Sequence, residues 1–337
     1  MRVVIILGLL VCCAMGYSKP TFGINHDFVW TEDKDIPSLI QAMRDAHVQS
    51  VRMGVRWTSV EPERGKWNWD KPDSVVRQIR AANIEILCGL ASVPAWASGI
   101  DPSQQTGFWD CYAPKDMKDW STYVGKVVGR YKKDIHYWEV WNEENGLDFY
   151  KPAPDAKAYV EILKAAHDAI KAADPKATVV LGGLQMNGII PNPWSTLKVE
   201  NFLQQIYDVG GKPYFDVVNI HPYVAAAPNE GPEYCARLVR DTVAVMRKNG
   251  DGGKPLWITE TGLPTGSGVT EEMQAQHLEG IYRELGKIPE VKAIHWFELR
   301  DYPKPICGGE ESMGILAGDG RRKPSFDMYR KLAGSAN

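Results

Sequence analysis

Two short stretches carry the residues best suited to chemistry. Trp141-Asn142-Glu143 closes an apolar run over residues 136–143, and Thr259-Glu260-Thr261-Gly262 closes another over 256–260. Each sets a carboxylate at the end of a strand-like segment. Two carboxyl groups facing one cleft can cleave an acetal: one protonates the departing oxygen, and the other attacks the anomeric carbon or activates water. A solitary rim glutamate would more simply be solvated or paired with a Lys or Arg; two on separate strand ends invite the chemical reading. Other chemistries are poorly served. No C-x-x-C or H-E-x-x-H pattern occurs and the seven His are scattered, so no metal site is expected. No G-x-S-x-G elbow marks a serine esterase, and neither G-x-G-x-x-G nor G-x-x-x-x-G-K-[ST] marks a nucleotide site.

The elements that must hold those carboxylates follow from periodicity. Short apolar runs over 21–25, 50–57, 84–91, 136–143, 178–183, 215–221, 256–260 and 291–297 read as strands. Amphipathic stretches alternate with them over 36–47, 72–82, 117–132, 156–173, 199–207, 233–248, 271–285 and 325–332. Asp35-Ile36-Pro37, Asp70-Lys71-Pro72 and Pro154-Asp155 are helix starts, while Ala82-Asn83 and Asn249-Gly250 are helix ends. Regular βα alternation demands a parallel sheet. Eight repeats favour closure into a single (β/α)8 TIM barrel, an α/β fold, over an open doubly wound sheet. The strand-to-helix links are the long ones, as at 92–115, 144–155, 185–198 and 302–323. In a barrel those links build the active-site face, where both carboxylates would stand.

These segments resemble the signatures of clan A glycoside hydrolases, which are retaining β-glycosidases on TIM barrels. Trp-Asn-Glu at 141–143 and Thr-Glu-Thr-Gly at 259–262 carry the likeness first. The run Val51 to Trp57, with Glu61-Pro62-Glu63-Arg64-Gly65 after it, resembles the clan's second strand and loop. Val93-Pro94-Ala95-Trp96 is similar to a third loop of family 39 and some family 5 members. Asn219-Ile220-His221-Pro222-Tyr223 resembles the sixth-strand motif, and Met313-Gly314-Ile315-Leu316 the exit from the eighth strand. The resemblance implies that Glu143 is the general acid/base and Glu260 the nucleophile. It further implies that Asn142 binds the sugar's 2-hydroxyl, that Arg52 touches the nucleophile, and that His221 and Tyr223 stand beside it. Trp296 is implied as the floor of the sugar subsite, and Trp96 as a substrate-loop aromatic. One position departs from the pattern: Asn142-Glu143-Glu144 stands where Asn-Glu-Pro is usual, placing a second carboxyl next to the acid/base.

Composition agrees with a soluble globular protein with an ample core. Of 337 residues 44% are hydrophobic and 24% charged, which excludes disorder and fibrous repeats. Thirty-nine Lys and Arg against 42 Asp and Glu leave a net charge of −3, so no basic field is available to hold nucleic acid. Twelve Trp is an excess. Trp30, Trp57, Trp67, Trp69, Trp96, Trp109, Trp141, Trp194 and Trp296 fall in strand-to-helix links or at strand ends, where indoles stack on sugar rings or pin loops. Trp120, Trp138 and Trp257 read as core.

Residues 1–16 read as a secretory signal peptide: Met1-Arg2, an apolar run over 3–10, then small residues at Ala14 and Gly16. A lipoprotein anchor on Cys12 or Cys13 is the rival, disfavoured by Val11. No later apolar run is long enough to span a membrane. Residues 17–337 are expected to be one catalytic domain. Cys88, Cys111, Cys235 and Cys307 remain; Cys88 reads as a buried thiol, and one bridge among the other three is open. The sequence thus predicts an exported, endo-acting, retaining β-glycoside hydrolase of poly- or oligosaccharides without metal or organic cofactor. A catalytically inactive carbohydrate-binding barrel is the alternative.

Overall fold

The computed structural model of the protein describes residues 19–101, 109–185, 198–223, 231–302 and 312–335. Its strands are β1 (Thr21–Asn25), β2 (Ser50–Gly54), β3 (Glu85–Leu90), β4 (Tyr137–Val140), β5 (Thr178–Leu181), β6 (Leu184–Gln185), β7 (Val218–His221), β8 (Leu256–Ile258) and β9 (Val291–Trp296). They pair in parallel in the order β5-β4-β3-β2-β1-β9-β8-β7-β6. β5 and β6 are two halves of one strand interrupted at Gly182-Gly183: the first half pairs with β4 and the second with β7. Val180 bridges Val217 in parallel across the remaining seam. The sheet therefore closes, and the fold is a TIM barrel.

The helices are α1 (Ile36–Asp45), α2 (Trp57–Val60), α3 (Asp70–Ala81), α4 (Ala95–Ser98), α5 (Met117–Tyr131), α6 (Ala156–Ala173), α7 (Val199–Asp208), α8 (Pro232–Lys248), α9 (Glu271–Leu285) and α10 (Pro324–Gly334). Every strand and helix expected from periodicity is present. Their starts are chemically marked. Asp155 accepts from the Lys157 and Ala158 N–H groups at α6, and Thr270 accepts from Met273 N–H at α9. Apart from β7, which begins at Val218 rather than at residue 215, the differences lie at the barrel mouth. The run over 50–57 leaves the sheet at Gly54, because α2 turns Trp57 into the core with no exposure. The short α2 and α4 have too few residues for a periodic signal.

Strand alternation sorts the barrel interior into layers. Leu87, Val180 and Val217 pack together with Tyr137 and Trp257, forming an apolar plug. Towards the C-terminal rim the inward residues turn polar: Asn25 on β1, Arg52 on β2, Glu139 on β4 and Asn219 on β7. Outside the sheet, Ile24, Val51, Ile86, Trp138, Val179 and Ile258 face the helices in one continuous core. Cys88 belongs to that outer core, and burial pushes its thiol up to about 12. Cys307 and the leader over 1–16 lie outside the described residues. No helix among the described residues is long and apolar enough to cross a membrane.

Candidate active site

The end of β4 departs from regular structure at the residues with chemical interest. Trp141 and Glu143 both take positive φ, at 76° and 53°, a region costly for residues with a Cβ. Neighbouring backbone holds them there. Trp141 N–H donates to Leu90 O at 2.9 Å, and Glu143 N–H donates to Gly183 O at 3.0 Å. The Trp141 indole donates to Phe149 O at 2.9 Å, closing the loop. These contacts aim Asn142 and Glu143 over the barrel mouth.

Glu260, just beyond β8, is surrounded by donors. Arg52 Nη1 donates to its Oε1 at 2.5 Å, and the Tyr223 hydroxyl donates to its Oε2 at 2.8 Å. Arg52 is itself fixed on every side. Its Nε and Nη2 fork onto Glu139 at 2.7 and 2.8 Å, Nη2 also donates to Asn142 Oδ1 at 2.7 Å, and Nη1 donates to Asn25 Oδ1 at 3.1 Å. Burial opposes the charge on Arg52, yet Glu139 and Glu260 together raise its pKa and keep it a cation. Glu139 is fully buried and Glu260 is 12% exposed, so Glu139 is the structural partner and Glu260 the accessible one.

Glu143 has a different companion. His221 Nδ1 lies 2.8 Å from Glu143 Oε1 and 3.6 Å from Glu260 Oε2, while its Nε2 lies 2.9 Å from Thr259 Oγ1. Burial and then the charge of Arg52 hold the His221 pKa far below its usual value, so the ring is neutral. Only glycine leaves room for that ring, since a Cβ at Gly183 would overlap the imidazole. Glu144 points the other way, into the wall. Fully buried beside Tyr159 of α6 and against Gly182, its carboxyl is pushed up to about 8 by burial, and no Lys or Arg among the described residues pairs with it. Burial thus favours its neutral form near pH 7.

Ligand atoms of Glu143, His221 and Glu260 all lie within 4.8 Å of one another, the one group with metal-ligating potential among the described residues. A cation there would compete with Arg52 for Glu260. Two carboxyl groups this close, one held by a cation and one by a neutral imidazole, are also suited to nucleophilic attack and proton donation across one bond.

The structure brings together Glu143, Glu260, Asn142, Arg52, His221 and Tyr223. It does not place the expected tryptophans in the cleft. Trp296 has no exposure, and its indole donates to Met313 O at 3.1 Å. The cause is the two-residue strand period: His295 points into the barrel towards Ser50, so Trp296 points outward to His277 of α9. Phe297, one residue later, lines the cleft instead. Trp96 braces its loop, donating to Glu61 O at 3.0 Å and lying edge-on to Trp57. Trp67 and Trp69 stack on each other beneath Lys126 and Arg130 of α5. Only Trp141 and the exposed Trp30 stand at or near the cleft among the described residues; Trp194 and the Trp109 side chain lie outside them. The cleft is lined by Asp27, Arg56 and Tyr302 as well, which no spacing in the sequence singled out.

Comparison with known proteins adds a family. The family model described as Cellulase (glycosyl hydrolase family 5) matches residues 13–296. The chain is 26% identical over 294 residues to a β-xylosidase of Geobacillus stearothermophilus, covering 78% of this chain and 55% of that one. It is 26% identical over 268 residues to endo-1,4-β-xylanase A of Humicola insolens, covering 75% and 63%. The chain thus spans little more than half the length of that xylosidase. Among solved structures, a family 39 glycoside hydrolase from the gut symbiont Bacteroides cellulosilyticus WH2 shares the fold. Its TM-score is 0.72 at 21% identity, over 94% of this chain and 64% of that one.

Proposed function

The chain belongs to the cellulase family, glycosyl hydrolase family 5, and from that premise we propose that it hydrolyses β-glycosidic bonds of a poly- or oligosaccharide with retention of configuration. The observation that carries this reading is the convergence of Glu143 and Glu260 on His221, with ligand atoms within 4.8 Å. Retaining enzymes hold their carboxyl groups about 5–5.5 Å apart, whereas inverting ones leave about 6.5–9.5 Å for a water.

Glu260 attacks the anomeric carbon while Glu143 gives its proton to the departing glycosidic oxygen. The ester that forms on Glu260 is then hydrolysed by water deprotonated by Glu143. Arg52 and the Tyr223 hydroxyl steady the Glu260 carboxylate before attack and after release. Because Asn142 turns its Oδ1 to Arg52, its Nδ2 is left to donate to the sugar's 2-hydroxyl. Xylan-type substrates are the first candidates, since the named relatives are a β-xylosidase and an endo-xylanase. Action within a chain, and export directed by residues 1–16, complete the proposal.

The test is turnover of 4-nitrophenyl β-xyloside and of a panel of xylans, glucans, mannans and galactans by purified protein. The anomer released first is read by proton NMR. A β-anomer is expected; an α-anomer would mean inversion, and no turnover on the whole panel would leave only a binding protein. Export is checked by the mass of the protein recovered outside the cell, which should begin near residue 17.

A further inference from the structure

Beyond the reacting centre the cleft continues towards β1, β2 and β3, and its wall there is charged. Arg56 donates through Nε to Asp27 Oδ2 at 2.8 Å, with Nη2 also 2.6 Å from that oxygen. On its other side, Nη1 lies 3.5 Å from Ser92 Oγ and 3.7 Å from Asp110 Oδ2. Asp27 chiefly raises the Arg56 pKa, with a further contribution from Asp110. One cation between two carboxylates leaves a local charge of one negative unit. The side chains remain 31%, 18% and 16% exposed, enough to meet a ligand.

Next to this cluster stands Trp30, at 69% exposure the barest large apolar side chain among the described residues. Arg56 Cζ lies 5.5 Å from its ring centroid. Asp27 fixes that turn by accepting from Val29 N–H at 3.2 Å. Its exposed indole offers a flat apolar face on which a ring can stack. Donors and acceptors beside it, at the edge of the cleft, match a ring with an apolar face and hydroxyls at its edge.

The direction follows from the lining. None of Glu143, His221 and Glu260 lines this arm, but Arg52, which donates to Glu260, and Tyr302, whose hydroxyl feels the Glu260 charge, both do, whereas His221, the partner of Glu143, does not. Proton donation occurs on the leaving-group side, so this arm extends away from it, along the part of the substrate that stays on Glu260. Resting on the glycoside hydrolase reading above, we propose that Trp30, Arg56, Asp27 and Asp110 form a second sugar subsite on the retained side of the scissile bond. This subsite takes a neutral sugar and rejects a uronic acid. Arg56 donates to a hydroxyl oxygen, the two aspartates accept from hydroxyls, and Trp30 carries the ring face. A carboxylated sugar would meet a net negative wall in a partly buried site.

The experiment compares 4-nitrophenyl β-xyloside, β-xylobioside and a glucuronosyl-β-xyloside on the full chain, with wild type, Trp30→Ala and Asp110→Asn. Wild type should prefer the two-sugar neutral substrate to the acidic one. Trp30→Ala should lower the ratio of kcat/KM for xylobioside over xyloside about tenfold. Asp110→Asn should narrow the neutral-over-acidic preference. If Trp30→Ala lowers both neutral substrates equally, Trp30 only pins its turn and the subsite is overturned. Equal use of the acidic and neutral substrates by wild type would overturn the charge selection. If none of the three is cleaved, the hydrolase reading fails for xylosides, and fluorescence titration with xylobiose still decides the subsite. Quenching lost in Trp30→Ala supports it; quenching unchanged refutes it.

Discussion

Two carboxylates stand at the same barrel mouth in opposite surroundings. Glu260 lies among donors, with Arg52 and the Tyr223 hydroxyl on its two oxygens and Glu139 behind the arginine. Glu143 faces a neutral His221, and its chain neighbour Glu144 is buried with no cation from the described residues beside it. The first arrangement favours a carboxylate ready to attack. The second sets an uncharged imidazole against Glu143, a partner that suits a group that must carry a proton and then give it up. On the proposed reading, environment more than residue type divides the labour between the two glutamates.

The largest effect should come from removing the attacking group. Glu260→Ala is expected to lower kcat on the best neutral substrate by about 10⁶-fold, the scale on which losing a covalent nucleophile operates. A variant within tenfold of wild type would put the nucleophile elsewhere. Next comes the cation that organises the donor-rich side. Arg52→Met leaves Glu139 buried and uncompensated, so denaturant unfolding should show a loss of about 3–5 kcal/mol. A loss below about 1 kcal/mol would mean that the network is not held through that charge.

The smallest effect belongs to the buried Glu144 beside Glu143 and has a sign. A carboxyl raised from 4.5 to about 8 binds its proton more tightly in the folded chain. Its stability penalty is absent below the unfolded value, grows as pH rises through the window between the two, and is complete above the folded value. Glu144→Gln removes that titration. Its melting temperature should exceed that of wild type by an increasing margin from pH 5 to pH 8. A margin independent of pH would show that Glu144 keeps its charge when folded, and the contrast between the two sides would weaken.

Much of this was readable in the chain, and the misses have physical causes. The strands and helices were legible because eight apolar runs alternate with amphipathic ones, a pattern that burial enforces. Glu143, Glu260 and Arg52 were legible because the strand ends that place them carry distinctive neighbours. Trp296 was misplaced by one position, since a strand end does not announce which residue of a Trp-Phe pair faces inward. Trp57, Trp67, Trp69 and Trp96 fall in links where indoles either stack on sugar rings or fasten loops, and only three-dimensional packing decides between the uses. Asp27, Arg56 and Asp110 converge from three separate loops. Charged residues in loops have no period, so their meeting had no signal in the sequence.

The central claim is that Glu260 attacks and Glu143 handles the proton. The most direct measurement is azide rescue of Glu143→Ala on an activated aryl β-glycoside that the wild-type protein cleaves. Such a leaving group needs little protonation, so the intermediate on Glu260 should form and accumulate. Azide needs no base and should release it by a second inversion, giving the β-glycosyl azide with restored turnover. An α-glycosyl azide from this variant would contradict the account, because it would make Glu143 the nucleophile.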